Sequence, residues 1–336
     1  MVLSMYGLST SREESPSLPL YADWVTRMDF YGREMGEYQL VTTDINLMLD
    51  SQYYDSERVF FQISAFRGES EPWNTYAQRS NDFYVNDYLI PNGYGASGYG
   101  TFPHGLYMRW VKFNDADAKA DLILLKNNAA FHDAETQGPE STWYGQKYSR
   151  EIAYNLQTNL LAERAGETRN TTRVNNMVDM SLSHIDEWVT GVYSDPASAF
   201  CQPFMTGLTS SALIEYYERS VELGTPDTRI PPALKSIADW LWENTWVPNV
   251  NSSGYGAFMY VDRVVPGVGG TTPSPDLNLL IVPAYGWLYK HYRETVYRDR
   301  GDLIFAGGVA LADITDKGKR FNQSYRSSFD YVIWRA

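Results

Sequence analysis

The sequence predicts an all-α protein. It reads as one domain, residues 1–336, of about six antiparallel helix pairs forming an incomplete or closed (α/α)6-like toroid with long loops at one end. Three observations predict it. Strand signals are few, while apolar residues recur at helical spacing along most of the chain. Short polar turns alternate with longer connections, as expected when helices pair before the next pair begins. The pairs are also unequal in length and divergent in sequence, which favours a ring over a regular superhelical array.

The elements follow in order. Residues 1–20 read as a flexible or extended segment, and a first helix is expected at about 21–35. Residues 51–68 place Val59, Ile63 and Phe66 on one helical face, and 72–89 follow with Pro72 suited to a first turn. The segment 101–113 turns at "NDAD" into 118–132, and 149–166 turns at "GETRN" into 171–189. The next pair joins 202–224 to 232–246 through "TPDTRIP". A fifth joins 274–294 to 296–312, and an amphipathic segment at 320–335 ends the series. The longer connections are 90–100, 132–145, 194–200, 246–274 and 312–319.

Composition narrows the function. Net charge is −13, which argues against nucleic acid and against an anionic membrane. No apolar run is long enough to span a bilayer, so no membrane insertion is expected. Cys201 is the single cysteine, which excludes an internal disulfide and a cysteine metal cluster. HExxH, CxxC, GxSxG and Walker patterns do not occur. No cofactor is expected, and a divalent cation stays open. The chain carries 26 Tyr and 10 Trp, flat apolar faces with polar edges that suit stacking on sugars.

The stretch "QPFMTGLTSSALIEYYERSVELGTPDTRIPPALKSIADWLWENTW" (202–246) resembles a repeat unit of (α/α) toroid carbohydrate-active enzymes, and the helix-pair rhythm extends the likeness over about 50–311. That group holds glycoside hydrolases, epimerases and polysaccharide lyases, including alginate- and glucuronan-type lyases. "KNNAAFH" (126–132) also loosely resembles the Asn-Asn-His run of toroid alginate lyases, with the His displaced by "AAF". The resemblance implies a secreted or periplasmic protein acting on a polysaccharide or oligosaccharide, although no signal peptide is visible at the N-terminus.

In a ring of helix pairs, the long connections gather at one end, and binding groups collect there. The start of each pair's first helix and the end of its second should hold them. Tyr53, Tyr54, Asp55, His104, Tyr144, Lys147, Tyr148, Arg150, Glu151, Gln202, Asp276 and Asn278 pass this filter at helix starts. Asn127, Asn128, His132, Asp133, His184, Asp186, Trp188 and Trp246 pass it at helix ends or in loops. The 246–274 loop reads as a surface excursion, a short hairpin or a flap over the cleft, carrying Tyr255.

Two chemistries fit. β-Elimination on a uronate needs a base, an acid and a group that neutralises the carboxylate. Tyr148 or Tyr144 with His104 or His184 would move protons, and Arg150 with Asn127 or Asn128 would hold the carboxylate. Arg150 stands in a first helical turn, where a cation is disfavoured by a few tenths of a kcal/mol, so it should have an anionic partner: a substrate carboxylate, Glu151 or another acid. His132, Lys147 and Gln202 would add polar contacts, and Trp143, Trp188 and Tyr255 would stack on sugars. The alternative is an inverting glycoside hydrolase using Glu151 and a second rim carboxylate among Asp55, Asp133, Asp186 and Asp276. A non-catalytic glycan-binding protein is a third reading. Convergence of Arg150, Lys147, Arg173, Arg263 and Lys319 on one cleft would suit a polyanion, and dispersal a neutral glycan.

Overall fold

A computed structural model describes residues 17–68, 71–133, 145–196 and 199–336. The described chain is mostly helical. After α1 (Tyr21–Val41) and α2 (Ile45–Gln52), five pairs follow: α3 (Ser56–Phe66) with α4 (Trp73–Asp82), α5 (Pro103–Phe113) with α6 (Ala116–Asn128), α7 (Ser149–Arg164) with α8 (Thr171–Thr190), α9 (Pro203–Glu222) with α10 (Ile230–Thr245), and α11 (Asn278–Tyr292) with α12 (Thr295–Leu311). The chain ends in α13 (Lys319–Tyr325) and α14 (Ser328–Trp334).

Local chemistry explains the helix starts. Asp44, Asp55, Asp115 and Asn170 cap α2, α3, α6 and α8, their side chains accepting from first-turn backbone N–H groups. Proline opens α5, α9 and α10, where its missing N–H costs nothing. The five expected pairs all pack together.

Burial separates the two members of each pair. In α3 every residue from Ser56 to Ala65 is buried, and α7 and α11 bury continuous runs at Glu151–Ala162 and Asn278–Leu288. Their partners bury one stripe, as α6 does with Ala118, Leu122 and Leu125. The first helices therefore form an inner layer. They contact one another in sequence, α3 to α5, α5 to α7, α7 to α9 and α9 to α11; α11 then packs on α13 and α14. The last helices also reach the first: Asn322 on α13 donates to the carbonyls of Ser51 (2.7 Å) and Tyr53 (2.9 Å).

Four boundaries differ from the sequence pattern. The helix expected over 51–68 is broken at Tyr54 and Asp55, both with positive φ (72° and 70°). The closing segment splits at Arg326 and Ser327, and α1 runs to Val41 rather than ending near 35. The helix expected over 72–89 changes register, continuing from α4 as a π-helical segment at Phe83–Leu89. In the 246–274 connection a two-residue hairpin forms, β1 (Trp246–Val247) against β2 (Ala257–Phe258), with Trp246 opposite Phe258.

The inner layer packs backbone against backbone where α9 meets α11. A Cβ on Gly207 would stand 2.7 Å from the Leu280 carbonyl oxygen and 2.9 Å from Ile281 Cα, and backbone cannot move aside cheaply. Gly207→Ala is expected to cost about 1–3 kcal/mol in urea unfolding. Gly270→Ala, which meets nothing within 4 Å, should leave the midpoint unchanged.

Candidate functional site

A cavity of about 270 Å³ opens where α2 ends and α3 and α5 begin. Leu49, Asp50, Gln52 and Tyr53 form one wall, Tyr84 and Tyr88 of the π-helical segment a second, and Tyr99, Gly100 and Phe102 a third. The wider π turn places Tyr84 and Tyr88 on the same side, their rings stacked at 5.8 Å and 22°. Tyr53 stacks on Tyr99 (6.0 Å, 19°) and meets Phe102 edge-on at 5.9 Å.

Polar groups fix this shell. Tyr84 Oη donates to the Gly100 carbonyl (2.8 Å) and accepts from Phe102 N (2.9 Å). Tyr88 Oη accepts from Ser97 N (3.2 Å) and lies 3.3 Å from Ser97 Oγ. Gln52 is different: its side chain is buried in the cavity wall, yet neither Nε2 nor Oε1 has a hydrogen-bond partner among the described residues. A buried amide left so costs about 1–3 kcal/mol, and a ligand hydroxyl or carboxylate would satisfy it.

Arg150 flanks the cavity. Its Nη1 donates to Tyr53 Oη (3.1 Å), its Nη2 and Nε donate to Glu151 Oε1 (2.5 and 3.1 Å), and its guanidinium lies 5.7 Å from the centre of the Tyr99 ring. Burial works against the Arg150 charge, but Glu151 and Tyr53 outweigh it and raise its pKa above the ordinary arginine value. The partner demanded by a first-turn cation is therefore Glu151. Burial also pushes the Tyr53 phenol up, against the pull of Arg150, and keeps its proton on. Lys319, exposed at the start of α13, holds its ammonium 5.8 Å from the Tyr53 ring centre and forms no ion pair among the described residues.

The other sequence candidates lie apart from this cavity. Trp143 and Tyr144 fall outside the described residues. His104 is buried, its Nε2 2.9 Å from Glu215 Oε1, and faces the interior rather than the rim. Burial, then Arg58, holds its pKa below the ordinary value. His184 is buried in α8, 6.1 Å from Trp188 between ring centres. Trp188 is 1% exposed and donates to the Phe200 carbonyl, so it has no face to offer a sugar. Gln202 is buried at the start of α9. Asn127 and Asn128 are exposed, and Asn128 bonds back to the Leu124 carbonyl. His132 lies 2.9 Å from the Ala129 carbonyl through Nδ1. Tyr148 is half-buried against Phe131 (5.4 Å), and Lys147 pairs with Asp195 at 3.5 Å. Tyr255 belongs to the hairpin, which Asn278 ties to α11 and α12 through Phe258 N, the Gly256 carbonyl and the Ile304 carbonyl. No hairpin residue lines the cavity.

Of Arg150, Lys147, Arg173, Arg263 and Lys319, Arg150 and Lys319 meet at Tyr53. Lys147 pairs with Asp195, Arg263 with Asp262, and Arg173 approaches the Lys126 carbonyl. Sequence reasoning placed Tyr53 at the rim but missed Gln52, Tyr84, Tyr88, Tyr99 and Phe102. The available signal was the repeated Gly-Tyr of "GYGASGYG", which carries Tyr99.

A buried polar chain continues inward from the cavity floor. Tyr154 meets Phe102 edge-on and receives Arg326 Nη1 at 2.6 Å. Arg326 Nη2 donates to Gln157 Oε1 (3.3 Å), and Gln157 Nε2 to Glu215 Oε1 (2.8 Å). Beside it Arg58 pairs with Asp330 at 3.5 Å. Among the described residues no group of His, Cys, Asp and Glu is arranged to hold a metal ion. None of their helices is long and apolar enough to cross a membrane. Comparison with protein-family models, curated proteins and solved structures finds no match for this chain.

Asp330 gives a test of the interior. Burial pushes its carboxyl up to about 7, with Glu215 adding to the rise and Arg58, Arg326 and Lys290 opposing it. The unfolded chain, near 3.9, then gives up this proton first as pH rises, so the contribution favours folding below about pH 4 and is lost by about pH 7. Asp330→Asn should reduce that decline by about 4 kcal/mol over the interval, measured as unfolding free energy against pH.

Proposed function

We propose that the chain is a carbohydrate-active enzyme of the (α/α) toroid kind, and that it cleaves a uronate-containing polysaccharide by β-elimination in the tyrosine-walled cavity. The sequential contacts of the inner helices, and the return of α13 to α2 and α3, support the toroid reading. So does the meeting of helix starts: Tyr54, Phe102, Phe204 and Leu277 belong to one apolar cluster.

The observation that carries the reaction is the Tyr53 phenol. Arg150 donates to its oxygen, which leaves the phenol's own hydrogen to donate, and burial keeps that hydrogen in place. Tyr53 is the proton donor to the departing glycosidic oxygen. Lys319 neutralises the uronate carboxylate, since Arg150 is already engaged by Glu151. Tyr84 and Tyr88 spend their hydroxyls on the shell, and Asp50, the carboxylate on the cavity wall, takes the proton from the carbon beside the carboxylate. The carbon–oxygen bond breaks as the carbon–carbon double bond forms. Asp50 also favours a second reading: a wall carboxylate is what an inverting hydrolase requires of its base.

The test is incubation with alginate, glucuronan and neutral glycans. The β-elimination reading expects the ultraviolet absorbance of an unsaturated uronate from an acidic polymer. New reducing ends without that absorbance would make the protein a hydrolase, and neither signal would leave it a binder. Tyr53→Phe should lower kcat about 10²–10⁴-fold with the fold intact. Lys319→Ala should act chiefly on KM, and an unchanged kcat/KM in both variants would remove these residues from the mechanism.

A further inference from the structure

We infer that the cavity receives a single terminal sugar ring, so that the protein acts on chain ends rather than within a chain. The inference rests on the reading above of the cavity as a glycan site and specifies how it is used.

The cavity holds about 270 Å³, below the roughly 300–1,000 Å³ of pockets that enclose drug-sized ligands. That is room for one pyranose ring and not for a threaded chain.

Ring packing limits how a chain could run. Tyr53 contacts Phe102, Phe102 contacts Tyr84 (5.6 Å), and Tyr84 contacts Tyr88, so a continuous row of ring contacts joins the three walls. Tyr84 Oη ties the second wall to the third, donating to the Gly100 carbonyl and accepting from Phe102 N. Behind Phe102 stands Tyr154, fully buried and bonded to Arg326. A polysaccharide interior needs a path in and a path out, and a chain running through the cavity would have to part this row of packed rings.

Gln52 offers one donor pair and one acceptor, unpartnered and buried, in a wall otherwise rich in aromatic faces. One amide, with aromatic faces on either hand, matches the hydroxyls and the apolar face of a single ring. Lys319 is exposed and holds its ammonium 5.8 Å from the Tyr53 ring centre, and a carboxylate on that ring would meet it there.

Binding measurements separate the possibilities without relying on turnover. Glucuronic acid, a free-ended glucuronate trimer and trimers methylated at one end or the other are titrated into the intact protein by calorimetry. The chain-end inference expects the monosaccharide and the free trimer to bind within about tenfold of each other, and one of the two blocked trimers to weaken by about tenfold or more. Gln52→Ala should weaken every ligand that binds. The variant breaks no hydrogen bond of the folded chain but removes buried side-chain volume, so a lower melting temperature with the cooperative transition retained is expected beside it. If both blocked trimers bind as well as the free one while Gln52→Ala still weakens them, the cavity is a glycan site and the chain-end inference is wrong. If no ligand binds, or Gln52→Ala changes nothing, the glycan reading of this cavity fails and the inference goes with it.

Discussion

One carboxylate sets the geometry on which the cavity depends. Asp55 Oδ1 accepts from Arg58 N (3.2 Å), capping α3, while Oδ2 accepts from His104 N (3.1 Å) and Gly105 N (3.2 Å) at the start of α5. Two helix starts from different pairs are thus fastened through one side chain. The residues just before these starts, Tyr53 on one side and Tyr99, Gly100 and Phe102 on the other, become adjoining walls. The arrangement also explains Gly105: a Cβ there would stand 2.6 Å from Glu57 Oε2 and 2.8 Å from Asp55 Oδ1. Burial, then the neighbouring Asp55 charge, pushes the Glu57 carboxyl well above its ordinary range.

Behind the cavity the inner helices bury charge rather than excluding it. Arg58, His104, Glu215, Arg326 and Asp330 come from α3, α5, α9, the α13–α14 junction and α14, and all are buried. Their hydrogen bonds join parts of the chain as far apart as Arg58 and Asp330. Such pairs add little net stability over an apolar core, because desolvation offsets attraction, yet removing one partner strands the other at a cost of about 3–5 kcal/mol. The bonds tie α5, α7 and α9 together through Glu215 and Gln157, bring in the α13–α14 junction through Arg326, and tie α3 to α14 through Arg58.

Much of the fold was legible in the sequence. The helix pairs followed from apolar spacing. The break at Tyr54 and Asp55 was not legible, since Val59, Ile63 and Phe66 continue the same periodicity while the cause lies at the α5 backbone. Arg150 was legible as a cation needing an anion, and adjacent Glu151 supplied it. The site itself was mostly hidden. Its walls come from three separate segments, one of them a π-helical turn, and Gln52 stands out only when its lack of partners is seen in three dimensions. Most aromatic residues have a plainer role. Tyr154, Tyr285, Tyr297, Tyr325 and Tyr331 are buried in packing or hydrogen bonds, so the high tyrosine content alone did not locate the cavity.

A crystal structure with a bound glucuronate oligomer tests the account most directly. The account predicts a sugar ring between Tyr53 and Tyr88, with the Gln52 amide bonded to it and the carboxylate toward Lys319. Density for the oligomer elsewhere, for instance beside Phe131 and Tyr148 with the Gln52 amide untouched, would contradict it.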